Sequence, residues 1–277
     1  MIRLHKINNE TVSAIPDFIG KGTDNRKVKG QNVLDLYHNV FLCAKKKTGK
    51  TSCIFKILKE CATKDTIVVF FVSTLYKDSS YLNIRKYLDT KNIQHLDFTS
   101  LKNENGEDIL SNIIKELEID GKAAEEEEKE EKPKSTLLNL CESESDDECK
   151  KKKKSKYISP EYFFVFDDIS NELKSSSVVA LSKKNRHYKS SCLYASQYIL
   201  DLDPQTRKQI DSWLIFKGQS TQKLEIIYKD ADISIDFPQF ERIYKLATSE
   251  PYSFLNINTR TDIFMKSFNT EIKIKSQ

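Results

Sequence analysis

Residues 40–51, VFLCAKKKTGKT, decide the fold of this chain. Four apolar residues lead into the spacing A-x-x-x-x-G-K-T, which begins at Ala44 and ends at Thr51. This is the layout of a phosphate-binding P-loop, with alanine in place of the first glycine. The apolar run predicts a buried parallel strand, and a helix is predicted to begin near Lys50. Beyond that point, apolar residues recur at three- and four-residue spacing, at Cys53, Ile54, Ile57, Leu58 and Cys61.

The chemistry expected of this segment is the binding of a nucleoside triphosphate. Backbone N–H groups in such a loop converge on an anion, and the dipole of the following helix adds to the attraction. Lys50 is predicted to reach the β- and γ-phosphates of ATP, and Thr51 to place its hydroxyl on Mg²⁺. The predicted nucleotide-binding residues are Ala44, Lys45, Lys46, Lys47, Thr48, Gly49, Lys50, Thr51 and Ser52. The alternative is a chance match in a lysine-rich chain, but the strand and the helix that the motif requires are both present.

Length and composition bound the class of protein. A chain of 277 residues is long enough for one large domain with a substantial core. The formal net charge of +4 is too small to indicate a nucleic-acid partner by itself. The six cysteines include no C-x-x-C pair, which predicts a reducing, intracellular compartment. No apolar stretch approaches the length of a membrane span, so a soluble protein without a transmembrane helix is expected.

Outward from the P-loop, apolar strands alternate with amphipathic helices. Residues 66–73, TIVVFFVS, are typical of a strand buried on both faces. Further strands are predicted at residues 93–98, 163–166, 191–197 and 213–217, helices at 80–88, 107–119, 170–182 and 238–247, a short helix within 203–211, and a closing hairpin from 254–257 and 263–268. This alternation predicts an α/β fold, the P-loop NTPase fold, with a mainly parallel β-sheet flanked by helices and a C-terminal β-hairpin.

The predicted organisation is an N-terminal lead-in, residues 1–35, followed by a P-loop ATPase domain, residues 36–277. An insertion at residues 120–157 interrupts this domain. Residues 125–128 are all acidic and residues 150–154 all basic, so the insertion is predicted to be long, disordered and charge-segregated.

The function of this insertion stays open between three possibilities. It is a solvated loop without function, a flexible basic arm for DNA, or a phosphorylatable acidic hook. Ser143 and Ser145 support the last of these, because each precedes acidic residues.

Two further strands are predicted to end in polar side chains at the edge of the sheet where α/β proteins bind ligands. Residues 162–168, YFFVFDD, have the Walker B pattern. Asp167 is predicted to hold Mg²⁺ through water, and Asp168 to polarise the water that attacks ATP. At the end of another strand, Ser196 and Gln197 are placed to sense the γ-phosphate. The alternative in both cases is a strand that merely ends in a polar turn.

Taken together, these segments resemble the genome-packaging ATPases of large DNA viruses, the poxvirus-type branch of the FtsK–HerA superfamily, whose relatives occur in virophages and polinton-like elements. The segments that carry the resemblance are the P-loop, the double-aspartate strand end, the block Asn185-Arg186-His187-Tyr188 before the Ser196-Gln197 strand, and R-x-x-I-D-x-W-L-I-F from Arg207. The loop departs from the family pattern, because Ala44 and Lys47 stand at positions where glycine is common.

The resemblance implies an ATP-driven translocase of double-stranded DNA that assembles as a homo-oligomeric ring and loads a viral genome into a capsid. The implied partners are DNA and capsid or portal-vertex proteins, and the implied location is the host-cell cytoplasm, at a viral factory, or the virion. A ring motor also takes a positive charge from the neighbouring subunit. Arg207 is the first candidate for this arginine finger and Arg186 the second, and an ordinary surface salt bridge is the alternative for either. Arg207, in the segment between Pro204 and Asp211, is expected near the rim of the carboxyl edge of the sheet, where it could face the nucleotide of a neighbouring subunit.

Two other functions fit the same residues. One is a nucleotide-binding scaffold that hydrolyses ATP slowly and uses the charged insertion to recruit partners. The other is a related helicase or DNA-partition ATPase of the same superfamily. Stimulation of ATP hydrolysis by DNA separates a motor from a scaffold, and strand displacement separates a helicase from a duplex translocase.

Overall fold

A nine-stranded β-sheet forms the centre of the computed structural model, which describes residues 26–127 and 156–273. The strands are β1 Asn39–Cys43, β2 Ile67–Val72, β3 Gln94–Phe98, β4 Tyr162–Asp167, β5 Ser190–Ser196, β6 Ser212–Phe216, β7 Phe254–Asn258, β8 Ile263–Lys266 and β9 Thr270–Glu271. Their order across the sheet is β3-β2-β4-β5-β1-β6-β7-β8-β9. The P-loop strand β1 therefore lies between β5 and β6, and β4 lies one strand further away, beyond β5.

The first six strands run parallel, and β7, β8 and β9 continue the sheet in antiparallel pairing. Every residue of β1, β2, β4, β5 and β6 is buried. Strands covered by helices on both faces need apolar side chains on both faces, which is why they appear in the sequence as continuous apolar runs. The predicted α/β fold with a mainly parallel sheet is confirmed.

Helices pack on both faces of this sheet. They are α1 Lys50–Cys61, α2 Ser79–Thr90, α3 Ile109–Glu127, α4 Ser176–Lys184, α5 Pro204–Arg207, α6 Thr221–Asp230 and α7 Phe237–Ala247, with a 3₁₀ turn at Ile199–Asp201. One apolar cluster joins α1 and α2 to one face of the sheet, and a second cluster joins α3, α4, α6 and α7 to the other. This arrangement leaves the carboxyl ends of the parallel strands open at one edge, where α/β sheets bind their ligands.

The C-terminal part of the chain differs from the prediction in two elements. Helix α6, which buries Leu224 and Ile227, was not predicted. The predicted hairpin pairs as β7 and β8, and β9 adds a third short strand.

Helix α3 reaches Glu127 and so continues beyond the predicted end at residue 119, into the segment predicted as an insertion. The rest of that segment, residues 128–155, lies outside the described residues. The described part of the predicted lead-in, residues 26–35, contacts the rest of the chain: Val28 pairs with Ile158, and Leu34 is buried. The division of the chain at residue 35 stays a prediction. Within residues 26–127 and 156–273, no helix combines the length and the apolar character needed to cross a bilayer.

Candidate nucleotide-binding site

The P-loop follows β1 at the carboxyl edge of the sheet and passes into α1 at Lys50. The Ala44 N–H donates to the Ser196 carbonyl at 3.0 Å, which ties the start of the loop to the end of β5. Inside the loop, the Thr48 hydroxyl donates to the Lys45 carbonyl at 2.7 Å. Gly49 has a φ of 100°, in the left-handed region that glycine adopts at little cost. The loop is therefore a closed turn that ends directly on a helix N-terminus.

The N-terminus of α1 differs from those of five other helices. A serine or aspartate side chain accepts a hydrogen bond from a first-turn N–H in α2, α4, α5, α6 and α7. Helix α1 has Gly49 at this position and no side-chain cap. The first N–H groups of a helix need an acceptor, and a phosphate supplies one as well as a side chain does. The missing cap therefore fits a helix that binds an anion.

The two departures of the loop from the glycine-rich pattern have different structural consequences. Ala44 is fully buried and does not have a positive φ, so alanine fits there without backbone strain. Lys47 has a φ of 63°, in the left-handed region that favours glycine. Of the two departures, only Lys47 therefore has a backbone conformation that is unfavourable for a residue other than glycine.

Lys50 meets both predicted Walker B carboxylates. Its Nζ lies 2.8 Å from Asp168 Oδ1 and also contacts Asp167 Oδ1. The side chain of Asp167 is 1% exposed and that of Asp168 is 40% exposed. The structure thus brings Lys50 together with two adjacent aspartates that lie far from it in the sequence, with one carboxylate buried against the lysine and the other facing solvent.

Burial and charge act in opposite directions on this cluster. Burial raises the pKa of Asp167 and is opposed by the adjacent Lys50 ammonium. For Lys50, burial acts to lower the pKa, but the charges and hydrogen bonds of Asp167 and Asp168 outweigh it, and the pKa is raised. Lys50 is therefore a stable cation at neutral pH.

Tyr81 is a member of the site that the sequence did not reveal. It lies on α2 and is fully buried, and its hydroxyl donates to Asp167 Oδ2 at 2.7 Å. In the sequence it shares a helical apolar stripe with Ile84 and Leu88, which is the pattern of an ordinary core residue. A hydrogen bond to the charged form of a carboxylate favours that form and fixes its orientation. Tyr81 is therefore a positioning residue for Asp167.

Asp167 is predicted to hold Mg²⁺, and from that prediction Tyr81→Phe is expected to raise the Mg²⁺ concentration that half-saturates ATP hydrolysis by about 10-fold. Residues that orient a metal ligand typically contribute about 10–100-fold to metal affinity, and this change removes a single hydrogen bond. Titrations of activity with Mg²⁺ at saturating ATP measure the shift. Tyr87→Phe is the matched control on the same helix, because the Tyr87 ring packs against Phe55 away from the carboxylates. Equal Mg²⁺ requirements of wild type and Tyr81→Phe would contradict the positioning role.

The strand end at Ser196 and Gln197 lies beside the carboxylates. Ser196 Oγ contacts Asp201 Oδ2 in its own loop and lies 3.4 Å from Ser170 Oγ in the loop after β4. Gln197 is half-buried and shares a cavity of about 410 Å³ with Asp168. The residues that line this cavity are Lys46, Ser73, Thr74, Asp168, Ile169, Ser170, Asn171, Glu172 and Gln197. Gln197 and Asp168 thus line the same cavity.

The structure corrects the expected location of Arg207. Because β5 and β6 are parallel, the segment between them must return from the carboxyl edge to the amino edge of the sheet. It reaches the amino edge at Asp211, whose N–H donates to the Asn39 carbonyl at 2.9 Å, and Arg207 lies only four residues earlier. The expectation that Arg207 lies near the rim of the carboxyl edge is therefore wrong.

The Arg207 guanidinium is bound within the chain. Its Nε donates to Asp230 Oδ2 at 2.6 Å, its Nη1 donates to the Leu202 carbonyl at 2.9 Å, and its side chain is 11% exposed. Arg186 precedes β5 and so also lies at the amino edge, with a side chain that is 64% exposed and 3.6 Å from Asp211 Oδ1. Neither arginine joins the Lys50 site of its own chain. A role in the site of a neighbouring subunit stays a prediction for both.

Comparisons with known proteins were made by sequence and by structure. No protein-family model matches the chain, and no curated protein matches it by sequence. Among solved structures, B204, the DNA-packaging ATPase from Sulfolobus turreted icosahedral virus, matches with a TM-score of 0.52 and 16% identity over 87% of this chain and 100% of that chain. The genome-packaging NTPase B204 from Sulfolobus turreted icosahedral virus 2, in complex with ATP-gammaS, matches with a TM-score of 0.51 and 15% identity over 83% and 97%.

A bacterial protein has the same fold. EssC (ATPases 2 and 3) from Geobacillus thermodenitrificans matches with a TM-score of 0.51 and 10% identity, over 87% of this chain and 41% of that chain. The neighbours thus include a viral packaging ATPase, the class that the resemblance in the sequence predicted. At these identities the likeness concerns the fold. The chain has the P-loop NTPase fold of the packaging ATPase B204 and of the ATPase domains of EssC.

Proposed function

We propose that this protein is an ATP-hydrolysing DNA translocase that packages double-stranded viral DNA into capsids. The observation that carries the ATPase part is the contact of Lys50 with Asp167 and Asp168, at the carboxyl edge of a parallel sheet and beside an uncapped helix N-terminus. A phosphate cradle, a cation and two carboxylates in one crevice are the groups that phosphoryl transfer from ATP to water requires.

Binding of ATP is proposed to separate Lys50 from the two carboxylates. The N–H groups of the loop and of the first turn of α1 receive the phosphates, and Lys50 turns towards the β- and γ-phosphates. Thr51 and Asp167 would hold Mg²⁺, because both offer the oxygen donors that this ion prefers. The Asp167 carboxylate already lies against a cation in the structure, the Lys50 ammonium. When bound, Mg²⁺ neutralises charge on the transferred phosphoryl group.

Hydrolysis is proposed to use Asp168 as the group that orients the attacking water and accepts its proton. The exposure of Asp168 leaves room for that water, while the buried Asp167 has none. The Ser73 hydroxyl donates to the Asp168 carbonyl at 2.8 Å, and Asp168 has a φ of 55°, so its backbone is held in an uncommon conformation. Gln197, on the same cavity, would sense the γ-phosphate.

The packaging part of the proposal is supported by the resemblance in the sequence and by the fold shared with B204. It includes a homo-oligomeric ring, double-stranded DNA as the substrate of movement, capsid or portal-vertex proteins as partners, and a viral factory or the virion as location. A finger role for Arg207 would require breaking its ion pair with Asp230. A finger role for Arg186 would break only a longer contact, that with Asp211 Oδ1 at 3.6 Å, and the Arg186 side chain is largely exposed.

Duplex DNA is expected to increase the rate of ATP hydrolysis several-fold at low salt, and the increase is expected to fall as salt is raised, because phosphate contacts release counterions. Steady-state hydrolysis with and without blunt duplex DNA measures this, with Lys50→Ala as the control for contaminating activity. Displacement of a third strand from a triplex then reports movement along the duplex. A rate that does not respond to DNA would favour the slow nucleotide-binding scaffold, and unwinding of forked DNA would favour a helicase.

A further inference from the structure

Tyr252 lies against the P-loop on the side opposite to the carboxylates. It belongs to the segment between α7 and β7, and its side chain is 73% exposed. The contact with the loop is close: a Cβ atom placed on Gly49 would lie 3.2 Å from Tyr252 Cδ1 and 3.7 Å from Tyr252 Cβ. An aromatic ring that faces solvent is thus held directly beside the residue that precedes Lys50.

The surroundings hold Tyr252 in this position. Its φ of 61° lies in the left-handed region, which is a genuine outlier for a bulky residue. On one side of it, the Ser253 hydroxyl donates to the Glu250 carbonyl at 2.7 Å, and Lys266 Nζ pairs with Glu250 Oε1 at 2.6 Å. Phe216, at the end of β6, also packs near Gly49, with its Cε1 atom 3.9 Å from the position of a Cβ atom placed on Gly49. Backbone strain of this kind persists only where the surroundings enforce it, and it is frequent at ligand sites.

The order of the strands determines which part of a nucleotide reaches Tyr252. Lys50 points to the end of β4, which lies beyond β5 on one side of β1. Tyr252 precedes β7, which lies beyond β6 on the other side of β1. A triphosphate whose terminal phosphate faces the carboxylates must therefore leave the loop with its ribose and base towards β6 and β7. A cavity of about 350 Å³, lined in part by Tyr252, Ser253 and Ser267, opens on that side.

We propose that the ring of Tyr252 is the platform on which the base of the bound nucleotide stacks. This inference rests on the proposed nucleotide-binding function and adds a base subsite to it. Stacking uses the face of a base and reads no hydrogen-bonding edge, so the platform would increase affinity for adenine and guanine nucleotides with little discrimination between them.

The test compares two ligands on the full chain by isothermal titration calorimetry: the non-hydrolysable ATP analogue AMPPNP, which has a base, and inorganic tripolyphosphate, which has none. Tyr252→Ala is expected to weaken AMPPNP binding by roughly 5- to 150-fold, the range of one base–aromatic stack, and to leave tripolyphosphate binding unchanged. Tyr252→Phe keeps the aromatic face and is expected to bind both ligands as the wild type does. Tyr76→Ala is the matched control, because Tyr76 is also an exposed tyrosine, 55% exposed, but follows β2.

The outcomes separate this inference from the proposed function. Lys50→Ala is expected to lose both ligands, and unchanged binding of both would overturn the proposed function itself. If Lys50→Ala loses both ligands while Tyr252→Ala binds AMPPNP with wild-type affinity, the base platform is wrong and the phosphate site stands. An equal loss of AMPPNP and tripolyphosphate in Tyr252→Ala would also overturn the platform, because the residue would then act through the shape of the loop at Gly49.

Discussion

Replacing Lys50 with alanine is expected to abolish ATP binding at concentrations that saturate the wild type. The side chain is 12% exposed, so its ammonium acts in a partly desolvated site. Removing one partner of a desolvated charge contact typically costs about 2–5 kcal/mol, which corresponds to roughly 30- to 5,000-fold in affinity. Isothermal titration calorimetry with AMPPNP and Mg²⁺ measures the loss directly. Tight, Mg²⁺-dependent binding by this variant would show that residues 44–51 are not a P-loop.

The same substitution also leaves Asp167 buried without its counter-charge. An unpaired buried carboxylate destabilises the fold or takes up a proton, so local unfolding is a second explanation for a loss of binding by Lys50→Ala. The double variant Lys50→Ala/Asp167→Asn, compared with Asp167→Asn alone, removes this ambiguity, because both lack the Asp167 carboxylate and only the double variant lacks Lys50. It is expected to recover most of the melting temperature, because the amide carries no charge, and to remain unable to bind ATP. Recovery of binding together with stability would indicate that Lys50 serves the fold and not the phosphates.

Asp168→Asn is expected to lower turnover by about 10²-fold or more while nucleotide binding remains close to that of the wild type. The amide is nearly the same size but cannot accept the proton of the attacking water, and a general base typically contributes about 10²–10⁴-fold. Because the side chain is 40% exposed, the substitution removes no buried charge. Single-turnover hydrolysis of ATP by enzyme in excess isolates the chemical step from product release. Near-normal turnover by Asp168→Asn would show that another residue acts as the general base.

Asp167→Asn provides the matched comparison, because the two aspartates are adjacent in the chain and differ in burial. This variant is expected to raise the Mg²⁺ requirement of hydrolysis, since the proposed role of Asp167 is to hold the metal. Asp168→Asn is expected to leave that requirement unchanged. If the two variants exchange these effects, the metal ligand and the base must be exchanged as well.

The sequence by itself determined the class of fold and the two strand ends, those of β1 and β4, that carry the candidate site. Continuous apolar runs predicted strands within a few residues of β1, β2, β4, β5 and β6, because a strand covered on both faces must be apolar on both faces. Helix α6 was not predicted, although Leu224 and Ile227 recur in it at helical spacing. The P-loop and the double aspartate were readable because their spacing is local.

Only the tertiary structure decided which distant side chains meet. Tyr81 reaches Asp167, and Tyr252 reaches Gly49, through the order of strands across the sheet, which no local periodicity encodes. Arg207 lies away from the site for the same reason, since the segment between the parallel strands β5 and β6 must return to the amino edge of the sheet. Periodicity in a sequence reports which face of an element is buried, whereas the partners of a polar side chain depend on how the elements are ordered in space.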